Sequence, residues 1–322
     1  MKLLLVLLAH PLAALILPAK WFWPHFAGII VLFVGLVAMA SRGLPQARGM
    51  ERAVAFGPLF FAVPMAVFGG DHFISSKAIA AMVPAWIPGH LFWVYLVGTA
   101  LFAAALSIVT GKHSVLAASL LSAMLFSFVL LIHVPNFVAS PGDRVAFAIV
   151  LRDSSFSAGA LACALAQAPP QAWLKSTNWI TILVRYVIAV PVTVFGVEQF
   201  LHPKLVPVVP LRQAMPLWIP AQLFIVYMTG AVLIASGLSL LVNWKPRLAA
   251  TALGIYIFVI VLLVYLPIMA AKVSDIANGL NYFADTLAFS GTALLLADVL
   301  PGVERAEVAQ ANREESPVRV GY

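Results

Sequence analysis

The chain is a series of long apolar segments interrupted by short polar breaks. Of its 322 residues, 63% are hydrophobic and only 10% are charged, whereas a soluble domain carries about 25% charged residues. A chain of this composition cannot cover itself with a polar surface. Many of the apolar segments are close to the ~20 residues that a helix needs to cross the hydrocarbon core of a bilayer. The sequence therefore predicts an all-α integral membrane protein whose main partner is the lipid bilayer.

The breaks between the apolar segments define ten candidate transmembrane helices. They span residues 2–18, 25–41, 53–73, 90–110, 114–134, 145–166, 179–200, 221–242, 248–268 and 281–299. The first segment resembles a signal peptide because a lysine precedes its apolar stretch. No small-residue cleavage site stands before "WFWPH", which favours an uncleaved helix.

The basic residues predict how these helices are oriented. With the N-terminus in the cytoplasm, we count eleven Lys and Arg in the inner segments and six in the outer loops. The loops "SRGLPQARGMER" and "NWKPR" contribute most to this bias, which follows the positive-inside rule. An even number of helices then places both termini in the cytoplasm. The protein itself is predicted to lie in the cell (inner) membrane. The net charge of +7 is explained by these loops and does not indicate a nucleic-acid partner.

A stretch of four predicted helices occurs twice in the sequence. "AVPMAVFGGDHF" (62–73) matches "AVPVTVFGVEQF" (189–200) at an offset of 127 residues. After a five-residue insertion, "PAWIPGHLFWVYLVG" matches "PLWIPAQLFIVYMTG" and "VLLIHVP" matches "VLLVYLP" at an offset of 132. A unit with an even number of helices starts and ends on the same side of the membrane. The two copies must therefore be parallel repeats and not inverted ones.

This repeat divides the chain into four predicted parts. Residues 1–52 form an N-terminal two-helix segment, 53–178 the first four-helix repeat, 179–300 the second repeat, and 301–322 a polar cytoplasmic tail. The predicted fold class is two parallel tandem four-helix bundles preceded by two extra helices, with about ten transmembrane helices in all.

Eight polar side chains are candidate ligand-binding residues, since ionisable groups inside membrane helices are costly and commonly functional. The predicted topology places all of them in the outer half of the bundles. They are Asp71, His72, His133, Arg152 and Asp153 in the first repeat, and Glu198, Tyr265 and Asp285 at matching places in the second.

We predict one polar cluster per repeat from these positions. The first contains Arg152 and two histidines, and it is the better candidate because a guanidinium suits an anion or a quinone carbonyl. The second has two acids and no resident cation, so it would hold a proton or accept a cationic ligand. The alternative, that these residues only fix helix packing, stays open.

The sequence gives no support to several classes of catalytic or metal site. Cys163 is the sole cysteine, which excludes an internal disulfide or a CxxC redox pair. We find no zinc-ligand spacing, no phosphate-binding loop ending in lysine and no nucleophile elbow. No metal site is predicted, no catalytic residue is assigned, and the sequence leaves open whether the chain is an enzyme.

Each repeat resembles the four-helix units of the DoxX/DoxD-like family of membrane proteins. The likeness is carried by "AVPMAVFGGDHF", by "FAIVLRDSSFSAGALACALA" and by their counterparts in the second repeat. Some relatives in that family are linked to quinone-coupled thiosulfate oxidation, and others to membrane oxidoreductase complexes that handle thiol stress. The resemblance thus implies a quinone as candidate cofactor and a membrane oxidoreductase as candidate partner. The tandem fusion and the missing cysteine pair argue against direct thiol chemistry.

The sequence is compatible with three functions. The first is a redox-associated subunit that binds a quinone or another small amphiphile at the outward polar sites. The second is a small-molecule transporter, which the one-sided placement of the polar groups disfavours, since only Arg185 lies near the inner ends. The third is a non-catalytic scaffold or assembly factor that would dock through its polar tail.

Overall fold

The computed structural model describes residues 19–41, 49–169 and 178–301, and its regular structure there is helical. The α-helices are α1 (Ala19–Ser41), α2 (Gly49–Val54), α3 (Gly57–Ile74), α4 (Ser76–Ala80), α5 (His90–Thr110), α6 (Ser114–Phe128), α7 (Val134–Ala139), α8 (Arg144–Gln167), α9 (Asn178–Leu201), α10 (Gln222–Leu241), α11 (Pro246–Ile260), α12 (Leu266–Ala271) and α13 (Asn281–Val299). The helix predicted at 2–18 and the tail from 302 lie outside the described residues.

Eight spans in the described part of the chain are long and apolar enough to cross a membrane. They are Phe22–Ser41, Gly49–Ile74, His90–Thr110, Ser114–Ala139, Arg144–Gln167, Trp179–Leu201, Gln222–Leu241 and Pro246–Ala271. This confirms the prediction of helical structure, in the described residues, with segments long and apolar enough to span a membrane. The total of ten spans stays a prediction.

Helix α13 is less apolar than these spans and forms the centre of the molecule. Every residue from 284 to 297 is buried, and the helix packs against α3, α8 and α11. Two of its polar side chains are bonded inside the bundle, since Thr286 Oγ1 donates to the carbonyl of Tyr282 at 2.9 Å and Ser290 Oγ donates to that of Gly254 at 2.8 Å. Because α13 is enclosed by other helices and not by lipid, it needs less hydrophobicity than a lipid-facing span.

Two glycines allow the central helices to approach closely. A Cβ atom built on Gly291 of α13 would lie 2.5 Å from the backbone nitrogen of Phe61 in α3. One built on Gly159 of α8 would lie 2.5 Å from Thr292 Oγ1 in α13. Real Cβ atoms do not come this close, so a larger residue at Gly291, which meets backbone atoms of α3, would force these two helices apart. Small residues at helix interfaces are the usual means of such packing in membranes.

Several local features recur at positions 132 residues apart. Gly89 and Ala221 precede α5 and α10 with positive φ angles of 72° and 53°. Further on, the π-helical turns Val129–His133 and Val261–Tyr265 interrupt the next helices of each half. Each π turn comes just before a proline in α7 or α12, which lacks the N–H that a regular helical turn would use.

The π turns correct the helix boundaries expected from the sequence. The spans predicted at 114–134 and 248–268 continue to residues 139 and 271. A proline normally ends or kinks a helix, which is why the sequence placed both ends too early. A proline also misplaced the predicted start of α1 at residue 25, because the helix begins at Ala19 and continues through Pro24.

The connection between α9 and α10 is buried where a surface loop was expected. Within residues 202–216, here called the plug, Val206, Val208 and Val209 are almost completely buried. Its backbone is held by tyrosine side chains from the second π turn and from α13. Tyr265 Oη donates to the carbonyl of Pro207, and Tyr282 Oη accepts from the backbone N–H groups of residues 212 and 213 at 3.1 Å each. A buried loop needs such partners because its backbone groups are cut off from water.

The close contact at Gly291 predicts a strong effect of a larger side chain. Gly291→Val should lower the stability of the protein by about 1–3 kcal/mol or more, because overpacking moves α13 away from α3. Thermal unfolding in detergent measures this effect. Gly142→Val is the matched control, since a Cβ at Gly142 has no atom within 4 Å. Equal melting temperatures for the two variants would contradict the packing described here.

The Tyr282 contact makes a prediction about the plug. Tyr282→Phe removes the acceptor of two backbone N–H groups, so amide hydrogen exchange at residues 212 and 213 should accelerate about fivefold, as expected for losing a bond worth about 1 kcal/mol. Tyr256→Phe is the control, because that hydroxyl pairs with Thr229 at 2.9 Å and not with the plug. Unchanged exchange in Tyr282→Phe would show that the hydroxyl does not hold the plug.

Candidate functional site

Four ionisable side chains form a continuous chain of contacts between α8, α13 and the first π turn. Arg152 Nε donates to Asp153 Oδ1 at 2.7 Å, and Arg152 Nη1 donates to Asp285 Oδ2 at 2.9 Å. His133 Nε2 lies 2.7 Å from Asp153 Oδ2. We call His133, Arg152, Asp153 and Asp285 the Arg152 cluster. It joins the first π turn and α8 to α13, which lies much further along the chain.

The helices place this cluster one to two turns from the N-terminal ends of α8 and α13. Arg152 lies two turns into α8, about 12 Å along the axis from the first residue. Asp285 lies one turn into α13, and His133 ends its π turn. The four side chains are between 10% and 19% exposed. A buried charge is tolerated only with partners, which the cluster supplies to its own members.

The contacts of the cluster pair its charges with one another. One guanidinium bonds to two carboxylates, and the imidazole of His133 contacts one of these carboxylates. A charge in a low-dielectric interior is costly unless it is paired and hydrogen-bonded. The three contacts therefore stabilise the charged groups of the cluster inside the bundle.

The structure corrects the prediction of one separate cluster in each repeat. Asp285 was assigned to the second cluster, but its carboxylate pairs with Arg152 of the first. Asp285 and Asp153 occupy matching positions 132 residues apart, so a single arginine lies between two corresponding carboxylates. The sequence shows which positions match, but it does not show that α8 and α13 pack side by side.

The expectation of a second site without a resident cation is also wrong. Glu198 Oε2 lies 3.0 Å from Arg144 Nη1 and 3.6 Å from His202 Nε2. Arg144 also donates to the carbonyl of Pro210 in the plug. Arg144 was counted as an outer-loop residue in the sequence. Its spacing of eight residues from Arg152, which puts both on nearly the same side of one helix, is the signal that was missed.

The remaining predicted residues lie outside hydrogen-bond contact with the cluster. Asp71 accepts from Ser75 Oγ at 2.7 Å and from Asn281 Nδ2 at 3.3 Å. His72 Nδ1 donates to the carbonyl of its own helix at Phe68, at 2.7 Å. Tyr265 is completely buried and donates to the plug. Asn281 lies one turn before Asp285 on α13. Its hydrogen bond to Asp71 therefore holds Asp71 against the helix that carries Asp285.

A cleft of about 240 Å³ lies at the opposite ends of these helices. Gly35 near the end of α1, Leu59 near the start of α3 and Val109 at the end of α5 line it. None of the eight predicted site residues contributes to it. Among the described residues, no group of three or more His, Cys, Asp or Glu is arranged to hold a metal ion. The Arg152 cluster is therefore the better candidate site.

Comparison with known proteins adds no relative. No family model, no curated protein and no solved structure matches this chain. The function is therefore inferred from the geometry of the Arg152 cluster together with the sequence.

The paired charges predict a strong coupling between Arg152 and Asp285. Arg152→Ala alone leaves buried carboxylates without their cation and should cost about 3–5 kcal/mol of stability. The double variant Arg152→Ala with Asp285→Ala should cost less than the sum of the single variants, because it removes both charges. A double-mutant cycle from chemical or thermal unfolding in detergent measures the coupling.

Arg212→Ala is the control for this cycle. The Arg212 side chain is 76% exposed and lies 4.0 Å from Asp143, so its loss should change stability by only about 0.5 kcal/mol. Strictly additive effects of Arg152→Ala and Asp285→Ala would mean that the two side chains do not interact.

Proposed function

We propose that the chain binds a quinone, or another small amphiphile with a hydrogen-bonding head group, at the Arg152 cluster. The observation that carries this proposal is an unused donor. A guanidinium has five N–H donors, and Arg152 uses Nε and Nη1 for the two carboxylates. Its Nη2 makes no hydrogen bond with any described residue, and the side chain keeps 19% of its surface exposed. A positively charged donor is thus free for a ligand carbonyl.

The His133–Asp153 pair supports the same proposal from the side of proton transfer. A quinone accepts hydrogen bonds at its carbonyl oxygens, and the corresponding quinol donates them from its hydroxyl groups. The imidazole and the carboxylate, 2.7 Å apart, form a pair that can receive such a proton. His133 ends a π turn, and π turns in α-helices frequently occur at functional sites. Donor and proton acceptor are thus adjacent in the outer half of the bundle.

The proposal includes a membrane architecture. The chain would be a tandem protein of the DoxX/DoxD-like type, with ten transmembrane helices in two parallel four-helix repeats and two preceding helices. It would lie in the inner membrane of the cell, with both termini in the cytoplasm. The matching positive-φ helix starts and the matching π turns support the duplication. A partner that exchanges electrons with the bound quinone would be a membrane oxidoreductase.

A non-catalytic scaffold is the second candidate, and one observation favours it. Three of the four carboxylate oxygens of Asp153 and Asp285 already have partners inside the protein. Ion pairs that are satisfied in this way can serve only to fix α8 against α13. In this case the cluster would hold the assembly together and would bind no ligand.

Identification of bound small molecules distinguishes these two functions. We would extract the purified protein in mild detergent and compare wild type with Arg152→Ala, Asp153→Ala and the control Arg212→Ala by mass spectrometry. The ligand proposal predicts a quinone or a defined amphiphile in wild type and control, and its loss from both cluster variants. Lower stability of the cluster variants, with no defined ligand in wild type, would contradict it and favour the scaffold.

A further inference from the structure

A second cation is buried far from the Arg152 cluster, near the opposite end of the second repeat. Arg185 lies in the second turn of α9, about 10 Å along the axis from the first residue. Only 8% of the surface of this residue is exposed. Arginine stays charged at every pH that a protein experiences. This charge cannot be removed by deprotonation and needs a partner.

Among the described residues, the hydrogen-bond partner of this charge is neutral. Arg185 Nη1 donates to the side-chain oxygen of Asn243, in the turn between α10 and α11. The Nε atom is buried and has no hydrogen-bond partner in the described part of the chain. None of the ion pairs between described residues includes Arg185. A buried guanidinium with these contacts is suited to bind an anion.

Exposed aromatic side chains flank Arg185 and Asn243. Tyr186 and Trp244 are 42% and 65% exposed, and tyrosine and tryptophan collect at the level of the lipid headgroups in membrane proteins. The Arg185 guanidinium lies 5.0 Å from the centre of the Tyr186 ring, and Lys245 Nζ lies 5.4 Å from that of Trp244. Ile182, one turn from Tyr186, is also exposed and offers an apolar surface for acyl chains.

We propose that Arg185 and Asn243 bind the phosphate group of an anionic phospholipid, with Lys245 in the same turn adding positive charge. Basic pockets between helices on the cytoplasmic side are suited to such headgroups. Arginine is well matched to a phosphate because its N–H groups can bond two oxygens at once. The first repeat has proline, Pro58, at the position that matches Arg185, so this lipid site belongs to the second repeat alone. It does not depend on the function of the Arg152 cluster.

Lipid binding to the full-length protein tests this proposal. We would add phosphatidylglycerol or phosphatidylcholine to delipidated protein and count the bound lipids by native mass spectrometry. Wild type should retain phosphatidylglycerol in preference, and Arg185→Gln should reduce its retention about fivefold, as expected for one basic residue near a membrane surface. Lys112→Gln is the matched control, because this exposed lysine lies in the corresponding turn of the first repeat. Equal retention by Arg185→Gln and wild type would overturn the proposal.

Two further arms identify the source of the anion. Inorganic phosphate at millimolar concentration should leave the bound phosphatidylglycerol in place, and displacement by it would mean that the site takes free phosphate. Replacing the tail residues Glu304, Glu307, Glu314 and Glu315 by Gln should leave retention unchanged. Retention that appears only in this variant would mean that the tail occupies the site, and would overturn the lipid proposal.

A measurement on wild type keeps the test valid if Arg185→Gln fails to fold. Phosphatidylglycerol should raise the melting temperature of the wild-type protein more than phosphatidylcholine does, because a ligand that binds only the folded state stabilises it. Equal melting temperatures in the two lipids would overturn the proposal.

Discussion

The position of Arg152 between Asp153 and Asp285 is the interaction on which the rest of the structure depends. A guanidinium inside a membrane protein requires anionic partners, and these two carboxylates come from α8 and α13. The two helices must therefore lie side by side at this depth. Gly159 makes this possible on the inner side of the pair by leaving room for Thr292. Charge pairing and close packing thus set the same arrangement of the central helices.

The plug makes the two halves of the molecule different. Its counterpart in the first half, residues 75–88, includes the short helix α4 and is mainly exposed. In the second half, Arg144 holds the plug through Pro210 and is itself paired with Glu198. The cation that balances Glu198 is therefore also an anchor for the plug. This leaves the Arg152 cluster, and not the Glu198 pair, as the group with a free donor for a ligand.

Much of the helical framework is predictable from the sequence. The bounds of α5 and α13 agree with the predicted 90–110 and 281–299, because Gly and Pro breakers stand on both sides of an apolar segment. The polar residues of the candidate site were also recognised, since ionisable groups are rare in such segments.

The way in which these residues group could not be read from the sequence. Asp285 pairs with Arg152 across 133 positions, and this contact follows from the packing of α8 against α13. The π turns depend on how each helix accommodates its proline, and the apolar pattern of a π turn does not differ from that of an α-helix. The burial of the plug was missed because its prolines and polar residues are typical of a surface loop.

Disulfide cross-linking of α8 to α13 tests the central claim most directly. In a Cys163→Ala background, Gly159→Cys and Thr292→Cys would place two cysteines at a close contact of the two helices, because a Cβ at Gly159 would meet side-chain atoms of Thr292 that the second substitution replaces by the bonding sulfur. The account predicts rapid cross-linking on mild oxidation, detected by mass spectrometry of the linked peptides. Gly159→Cys with Leu217→Cys, a highly exposed position beyond the plug, should give none. Equal cross-linking of the two pairs, or none in either, would contradict the packing that brings Arg152 between its two aspartates.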